Sequence, residues 1–334
     1  MLHNIDVNKS VSVIIPNYNG GPTIGRCLES VFLSNYPEFQ VIVVDDCSTD
    51  NSVEIIRRFP CELVKLERHS GASSARNAGA EKSSGEILFF IDSDCLVLEN
   101  TLSLAVETIA GKKHRVVGGT YTWAPADDHF FSFFQSVFIH YSETKNEEPD
   151  YIASHAMAIH RSLFETSGGF PEDFLPILED VEFSHRLRRS GCVLMMNPDI
   201  LVRHIFDFTL TKSLRNAFRK AKFWTIYSMA NKDLMNDSGT ASRELKINGA
   251  SFLASAALLP LFLFSGKEIF LSLLFVTAFF NILLSRGLIK AFYRARGFAF
   301  ACVATIYYVT LYPLAAGTGA FAGIMRYKSS GSKK

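Results

Sequence analysis

The sequence predicts an α/β domain, in which a mostly parallel sheet is flanked by helices, followed by an α-helical membrane region. The first part is indicated by short, β-branched apolar runs of strand length that alternate with segments whose apolar residues recur at helical spacing. The second part is indicated by residues 249–324, which are overwhelmingly apolar, whereas nearly all acidic residues precede Arg243. With 334 residues the chain is long enough for a domain and an additional module.

The alternation of strands and helices occupies the first half of the chain. Four strands are predicted at residues 11–15, 41–44, 62–66 and 86–91, the first of them ended by Pro16. Helices are predicted between them at residues 23–33, 52–59 and 73–80. Because each strand is followed by a helix, the strands should be parallel and covered on both faces. Later helices are predicted at 101–109 and 181–190, and later strands at 116–122, 153–159 and 193–196.

The fourth strand ends in two acids, Asp92 and Asp94, separated by one residue. Because alternate residues of a strand point to the same face, the two carboxylates should project together from the strand end. Ligands bind at the carboxyl ends of parallel strands, and hard divalent cations such as Mn²⁺ or Mg²⁺ prefer oxygen ligands. The pair therefore indicates a metal site that carries a phosphate-bearing substrate. The alternative is that two acids end a strand and face water.

Other polar motifs are expected at the same edge of the sheet, and together they resemble a known family. Asp45 and Asp46 end the second strand, PNYN at 16–19 ends the first, and GASSARNAG at 71–79 opens a helix. With GGF at 168–170 and the pair Glu179–Asp180, these motifs resemble, in content and order, the nucleotide-sugar domain of family 2 glycosyltransferases. The resemblance covers roughly residues 10–205 and implies the GT-A fold.

The resemblance implies a binding site for a nucleotide-diphosphate sugar donor. Asp45, which resembles the family's base-contacting aspartate, would accept a hydrogen bond from the base, between walls formed by Pro16 and Tyr18. Arg76 would meet the nucleotide or its pyrophosphate through charge-assisted bonds, unless it forms only a surface salt bridge. The expected donor-binding residues are Pro16, Tyr18, Asp45, Asp46, Arg76, Asp92 and Ser93.

The resemblance also implies a metal site and a catalytic base. Asp92 and Asp94 would hold Mn²⁺ or Mg²⁺, directly or through water, and His204 is a candidate further ligand, although a lone histidine can also be structural. By its matching position Asp180 would be the general base that takes a proton from the acceptor hydroxyl, and Glu179 could bind the acceptor. The alternative role of these two acids, N-terminal helix capping, does not exclude catalysis.

The chain departs from the family patterns in two places. Processive polysaccharide synthases of the family carry a Gln-x-x-Arg-Trp motif after the base, and no such motif occurs here. This absence argues against a polymerising enzyme. His69 stands where many relatives have asparagine, two residues before Gly71, which leaves the contacts of that loop open.

The part of the chain after residue 207 is expected to meet a membrane. Residues 208–248 are predicted to form a basic amphipathic interfacial helix and a linker, since lysines and arginines precede Trp224 and Tyr227; a solvated charged face is the alternative. An aromatic stripe at residues 130–138 is expected to pack in a core, with lipid contact as the alternative. A basic tail occupies residues 327–334.

Two to three transmembrane segments are predicted within residues 249–326. The runs at 269–285 and 298–324 are long enough to cross a hydrocarbon core of about 30 Å, whereas 250–264 is marginal and contains Pro260. The basic loop predicted at 286–296 should be cytoplasmic, which agrees with a cytosolic catalytic domain. The basic tail conflicts with a third full crossing, and a bent or re-entrant last segment would resolve this conflict.

The resemblance and the apolar C-terminal region together predict a membrane-anchored glycosyltransferase, and the resemblance implies that it inverts the anomeric configuration. It would move a sugar from the nucleotide-sugar donor to a saccharide or lipid-linked acceptor, in synthesis of a cell-envelope glycan or glycolipid at the cytosolic membrane face. A non-catalytic scaffold or transport protein with a degenerate domain is the alternative, but it predicts broken motifs. An oxidoreductase lacks support because no Gly-x-Gly-x-x-Gly follows the first strand.

Composition excludes other classes of partner and site. The net charge of +1 gives no basis for a nucleic-acid partner. The six cysteines form no CxxC pair, which is typical of scattered thiols in a reducing compartment. Residues 1–10 are polar and lack the apolar region of a secretory signal.

Overall fold

A computed structural model describes residues 9–112 and 114–331, which form two compact units. The sheet unit comprises Met1–Asp128 and Glu143–Asp207, and the helical unit comprises His129–Ser142 and Phe208–Lys334. Most of the segment in which no secretory signal was found, residues 1–10, lies outside the described residues, as does the end of the predicted basic tail.

In the described residues of the sheet unit, eight strands form one sheet in the order β3-β2-β1-β4-β7-β6-β8-β5. The neighbours β3, β2, β1 and β4 run parallel, while β7 pairs antiparallel with both β4 and β6. The last pairs are parallel β6–β8 and antiparallel β5–β8. The strands are β1 (Val11–Asn17), β2 (Phe39–Asp45), β3 (Glu62–Lys65), β4 (Ile87–Phe90), β5 (Cys95–Val97), β6 (Arg115–Tyr121), β7 (Met157–His160) and β8 (Val193–His204).

Helices cover this sheet, as the strand–helix alternation predicts. All seven predicted strands are present, and the short strand β5 is an addition that the sequence did not indicate. The helices of the sheet unit are α1 (Ile24–Phe32), α2 (Ser52–Ile56), α3 (Ala72–Lys82), α4 (Thr101–Ile109), α6 (Arg161–Thr166) and α7 (Glu179–Arg189).

The prediction that Pro16 ends the first strand is wrong, because β1 continues to Asn17. The backbone carbonyl of Ile14 points toward β4, where it accepts a hydrogen bond from the N–H of Ile91. The backbone nitrogen of Pro16, two residues further along the strand, points to the same side. There β4 has already ended at Phe90. The N–H that proline lacks is therefore not needed for pairing, and the strand tolerates it.

Helix α3 packs tightly on the centre of the sheet at Gly79. A Cβ atom added there would lie 2.5 Å from Cγ2 of Ile14 and 3.1 Å from Cγ2 of Val44, both of which are fully buried core side chains. Such distances leave no room for a side chain, because protein interiors are already close-packed. The final glycine of the GASSARNAG motif therefore allows the helix that carries Arg76 to approach the sheet.

We expect Gly79→Val to lower the free energy of unfolding by about 1–3 kcal/mol or more, because the new methyl groups would overpack the core. Thermal unfolding of the purified protein measures this effect. Glu81→Ala, at an exposed position of the same helix, is the control and should change stability by less than about 0.5 kcal/mol. Equal melting temperatures for Gly79→Val and the wild type would contradict this packing.

The helical unit contains α5 (Phe130–Glu143, whose last residue belongs to the sheet unit), α8 (Leu210–Asn231), α9 (Arg243–Ser265), α10 (Glu268–Leu284), α11 (Arg286–Val309) and α12 (Leu311–Gly331). The aromatic stripe on α5 packs in the core, as predicted. Phe134 is fully buried, and its ring centroid lies 4.8 Å from that of Tyr307 and 5.4 Å from that of Phe292. The basic helix α8 packs closely on α12, where a Cβ at Gly323 would lie 2.5 Å from the Lys222 carbonyl oxygen.

The apolar segments differ from their predicted lengths. Helix α9 has 23 residues, since polar residues before the apolar run extend it, and it continues through Pro260. Helix α10 has 17 residues and is shorter than a typical span. Within the described residues, Arg243–Ser265 and Arg286–Ser329 are long and apolar enough to cross a membrane by length and composition.

The region predicted as a basic loop at 286–296 is helical, and this prediction is wrong. It forms the first part of α11, whose backbone leaves helical geometry at Arg296 and at Gly297, with φ of 79°. Only glycine adopts this conformation readily. The last apolar segment is interrupted again at Thr310, so it is bent rather than one straight helix.

Candidate active site

A pocket of about 410 Å³ opens at the carboxyl ends of the parallel strands. Strand ends of this kind are where α/β proteins bind ligands. Asp45, Glu179, Asp180 and His204, all predicted site residues, do not line the pocket itself. Its lining residues are Pro16, Asn17, Tyr18, Asp46, His69, Gly71, Ala72, Ala75, Arg76, Asp92, Ser93, Asp94 and Pro176.

Asp46 organises one wall of the pocket. Its carboxylate accepts hydrogen bonds of 2.7 Å from the backbone N–H groups of Ser70 and Gly71, and it lies 2.8 Å from Nδ1 of His69. Gly71 has φ of 91°, so the turn into α3 favours a residue without a side chain. The rings of His69 and Tyr18 lie 4.1 Å apart. His69, left open by the sequence, is thus part of the aromatic wall.

Asp45 does not itself line the pocket, and its predicted contact with the nucleobase stays a prediction. It is buried, and its carboxylate accepts hydrogen bonds from Nδ2 of Asn17 at 2.9 Å and from the backbone N–H of Ser48 at 3.2 Å. These contacts join the loops that follow β1 and β2. Of the two consecutive acids, Asp46 is the one that faces the pocket.

Arg76 is a buried clamp between two carboxylates. Its Nη2 lies 2.7 Å from Oδ1 of Asp92 and its Nη1 lies 2.8 Å from Oε1 of Glu179, while the guanidinium sits over the ring of Phe170. Burial, the largest single effect, would raise the pKa of Asp92, but the charge and hydrogen bond of Arg76 and the charges of His155 and His204 together outweigh it and hold this pKa below its ordinary value. Arg76 also lines the pocket, so its predicted contact with a nucleotide or pyrophosphate stays a prediction, although both terminal nitrogens form ion pairs within the protein.

Asp94 and His204 come together beside the pocket. Oδ1 of Asp94 lies 3.4 Å from Nε2 of His204. With the Sγ atom of Cys95, these two residues offer three potential ligand atoms that all lie within 4.8 Å of one another. The antiparallel pairing of β5 with β8 aligns Cys95 with His204 and so brings the histidine to Asp94. The two carboxylates that were predicted to bind the metal together therefore have different partners: Asp92 binds Arg76, and Asp94 lies against His204.

The chemistry of this cluster fits a hard divalent cation. Carboxylate oxygen and imidazole nitrogen are suitable ligands for Mn²⁺. Burial raises the pKa of Asp94 above its ordinary value. The charge of His204 lowers this pKa in part, and the negative charge of Asp92 raises it further. A cation would relieve that repulsion. Burial also raises the pKa of the Cys95 thiol well above its ordinary value, so this sulfur is protonated and a poor ligand for such an ion.

Asp180 lies in the first turn of α7, and its pKa is raised. Burial, followed by repulsion from Glu179, raises its pKa to about 6, although Arg76 opposes them. Its carboxylate accepts hydrogen bonds from the backbone N–H groups of Ser154 at 3.2 Å and of Val181 at 2.9 Å. A carboxylate with a pKa this close to neutrality can take up a proton during a reaction and release it again.

A buried pair, His155 and Glu143, was missed in the sequence. Nε2 of His155 lies 3.5 Å from Oε2 of Glu143, and this oxygen accepts a 2.7 Å hydrogen bond from the hydroxyl of Thr120. The charge of His155 helps to hold the pKa of Asp92 low. Phe90 pairs with Met157 in the antiparallel β4–β7 register, so a residue shortly before Met157 must lie near the acids after Phe90. The antiparallel direction of β7 was the missing information.

The chain is similar to known glycosyltransferases. The family described as Glycosyl transferase family 2 matches residues 12–168. Glycosyltransferase AglE of Haloferax volcanii is 30% identical over 230 residues, which cover 65% of this chain and 74% of AglE. Glycosyltransferase GlyG of Streptococcus pneumoniae is 32% identical over 133 residues, which cover 38% of this chain and 44% of GlyG.

A solved structure shares the fold. The mannosyltransferase PcManGT from Pyrobaculum calidifontis, in complex with GDP-Man and Mn²⁺, matches with a TM-score of 0.59 and 20% identity over 97% of this chain and 88% of that one. The predicted family and fold class are thereby confirmed. The chain belongs to glycosyltransferase family 2, and it is a glycosyltransferase with a GT-A-like α/β sheet domain followed by a helical region.

Proposed function

We propose that this enzyme transfers one sugar, with inversion, from a nucleotide-diphosphate sugar to a lipid-linked acceptor at the cytosolic face of a membrane. The observation that carries the proposal is the meeting of Asp94 and His204 at the edge of a pocket lined by Asp46 and Tyr18. A nucleotide binds best where an aromatic wall, a hydrogen-bond acceptor and a diphosphate site lie together. The GDP-Man and Mn²⁺ bound by PcManGT, which shares the fold, support this class of donor.

The residues of the pocket divide into donor-binding and positioning groups. Tyr18, His69 and Pro16 would enclose the base, and Asp46 would hold the loop that faces it. Arg76 would act as a positioning residue, because its ion pairs with Asp92 and Glu179 tie the end of β4 to the start of α7. Asp94 and His204 would hold a divalent cation, Mn²⁺ or Mg²⁺, which stabilises the negative charge of a departing diphosphate.

Asp180 would serve as the general base. In a single in-line displacement, the acceptor oxygen forms a bond to the anomeric carbon while the bond from that carbon to the diphosphate oxygen breaks. The acceptor proton moves to the Asp180 carboxylate, and the nucleoside diphosphate leaves. If the acceptor atom is an ionised phosphate oxygen, it carries no proton and Asp180 contributes less.

The helical unit supports the membrane location. Large apolar side chains of α9 and α10 are strongly exposed, including Phe264 at 91%, Leu263 at 69% and Phe279 at 65%. Soluble monomers rarely leave so much contiguous apolar surface in water, whereas lipid would cover it. The basic residues in the first part of α11 favour the cytoplasmic side for that end of the unit. A catalytic unit on the same side would meet its nucleotide sugar in the cytosol.

Transfer assays test the proposed function. The full-length protein, reconstituted in lipid vesicles, is incubated with UDP-, GDP- and dTDP-sugars, Mn²⁺ and a panel of polyprenyl-phosphate and lipid-linked saccharide acceptors. We expect one donor to yield a glycosylated lipid, identified by mass, with release of its nucleoside diphosphate. The absence of both transfer and metal-dependent donor hydrolysis with every donor would overturn the proposal.

We expect His204→Ala to weaken Mn²⁺ binding by about tenfold or more, because ligands and their supporting partners commonly contribute this much to metal affinity. Titration of the protein with Mn²⁺ in the presence of nucleoside diphosphates, followed by electron paramagnetic resonance, measures the change. The control is His185→Ala, since His185 also lies near a carboxylate, at 3.6 Å from Asp150. An unchanged Mn²⁺ affinity in His204→Ala would exclude His204 as a ligand.

A further inference from the structure

An apolar groove lies in the helical unit between α10 and the two parts of α11. Its volume is about 700 Å³, and its walls include Phe279, Leu283, Phe298 and Ile306. The backbone break at Gly297 allows both parts of α11 to line the groove. The apolar walls are exposed, with Phe298 at 74% and Ile306 at 62%. Such a surface requires an apolar occupant or a membrane.

Two cations, Arg286 and Lys290, also line this groove. They lie one helical turn apart on the same face of α11, where like charges repel each other. Within the described residues neither side chain has a carboxylate partner. On α10 the one acid, Glu268, stands in the first turn, about 24 Å along the helix axis from Leu284. The groove therefore combines apolar walls with unneutralised positive charge.

The charge distribution of the helical unit decides among possible occupants. From residue 243 to residue 331 the sequence contains two acids, Glu244 and Glu268, so a second copy of this unit would bring cations against cations. A free phosphate would neutralise Arg286 and Lys290 but leave the apolar walls uncovered. An amphipathic anion satisfies both parts of the groove: a phosphate binds the two cations, and an attached hydrocarbon chain covers the aromatic and aliphatic walls.

We propose that this groove binds the lipid phosphate of the acceptor, with its phosphate on Arg286 and Lys290 and its chain along the apolar walls. The inference rests on the proposed function in one respect, namely that the sugar acceptor is lipid-linked. It goes further by assigning the lipid to the helical unit and by naming the two side chains that recognise its charge.

The binding test uses the full-length protein in phosphatidylcholine nanodiscs and native mass spectrometry. A polyprenyl phosphate is added to the wild type, to the double variant Arg286→Ala/Lys290→Ala and to the control Arg294→Ala, which removes a cation of the same helix that does not line the groove. We expect the double variant to bind polyprenyl phosphate at least about tenfold more weakly and the control to bind within about twofold of the wild type.

Competition separates the possible sources of the phosphate. We expect neither inorganic phosphate nor phosphatidylglycerol at the same concentration to displace polyprenyl phosphate from the wild type. Inorganic phosphate has no chain to cover the apolar walls, and the phosphodiester of phosphatidylglycerol brings one negative charge to two cations, whereas a phosphate monoester can bring two. Equal binding by wild type and double variant would overturn the inference, and so would displacement by inorganic phosphate or equal binding of phosphatidylglycerol.

Kinetics distinguish this inference from the proposed function. We expect the double variant to show a KM for the lipid acceptor raised about tenfold or more, with Mn²⁺-dependent donor binding unchanged. Lipid glycosylation with the same acceptor KM in both proteins would overturn the groove assignment and leave the proposed function standing. If no lipid is glycosylated by either protein, the proposed acceptor is wrong, and the binding comparison alone decides whether the groove recognises lipid phosphate.

Discussion

With an acceptor that presents a hydroxyl group, replacement of Asp180 by asparagine should lower the turnover number by about 10²–10⁴-fold, the usual contribution of a general base. Asparagine has nearly the same shape, but its single side-chain oxygen can accept only one of the two backbone hydrogen bonds, because Ser154 and Val181 donate to different oxygens of Asp180. It cannot accept the proton of an acceptor hydroxyl. Donor and Mn²⁺ affinities should therefore stay within about twofold of the wild type, so that the loss appears in turnover.

The pH dependence gives the same prediction a second readout. Because burial and Glu179 raise the pKa of Asp180 to about 6, the base is ionised above this pH and protonated below it. The wild-type kcat/KM should therefore fall as the pH decreases through about 6, and this decrease should be absent from the residual activity of Asp180→Asn. Initial rates between pH 5 and 8 measure both profiles.

The sign of the stability effect is also determined. A carboxyl group whose pKa is raised in the folded protein destabilises the fold above that pKa, and the penalty declines as the pH falls from the folded pKa toward the lower pKa of the unfolded chain. The Tm of the wild type should therefore rise relative to that of Asp180→Asn as the pH is lowered from 8 to below 6. Glu182→Gln, which alters another acid in the first turn of α7, is the control and should keep wild-type turnover. Unchanged turnover in Asp180→Asn would remove Asp180 from the role of base.

Replacement of Arg76 by methionine should cost about 3–5 kcal/mol of stability, since it leaves two carboxylates near one another without their buried cation. Arg76 is 3% exposed, and it contacts both Asp92 and Glu179 at ordinary ion-pair distances. Without it the pKa of Asp92 should rise, because the arginine is the main charge that holds it down. Chemical denaturation of the wild type and the variant measures the difference.

Two further variants test whether the effect comes from the buried clamp. Arg161→Met removes an arginine that makes an exposed ion pair with Glu165 at 3.7 Å, and its effect should be below about 1 kcal/mol. Arg76→Lys keeps the charge but cannot span two carboxylates with a planar fork, so it should be intermediate in stability and reduced in turnover. Wild-type stability for Arg76→Met would show that the two ion pairs contribute nothing to the fold.

The order of the motifs could be recognised from sequence because it depends on local patterns. Apolar runs of strand length ended by polar residues predicted the parallel half of the sheet and the edge at which Asp46 and Asp94 lie. The contacts of individual side chains depend on tertiary structure instead. Asp45 and Asp46 are adjacent, and only the folded chain shows that Asp46 lines the pocket whereas Asp45 binds Asn17.

Other differences arise from strand pairing and from helix length. The unpredicted strand β5 brings His204 to Asp94, and the antiparallel strand β7 brings His155 near Asp92. In the helical unit, hydropathy marks the apolar run but not the helix that contains it. Basic residues between 286 and 296 therefore suggested a loop, although leucine, alanine and phenylalanine at 288, 291 and 292 bury one face of a helix.

The central claim is that donor binding depends on a divalent cation at Asp94 and His204, and nucleotide binding with and without metal tests it most directly. Chelator-treated wild type and Asp94→Asn are titrated by calorimetry with UDP, GDP and dTDP, each with and without Mn²⁺. We predict that the wild type binds one nucleotide in Mn²⁺ and none in chelator, and that Asp94→Asn binds none under either condition. Equal nucleotide binding by the wild type with and without Mn²⁺, or wild-type binding by Asp94→Asn, would contradict this claim.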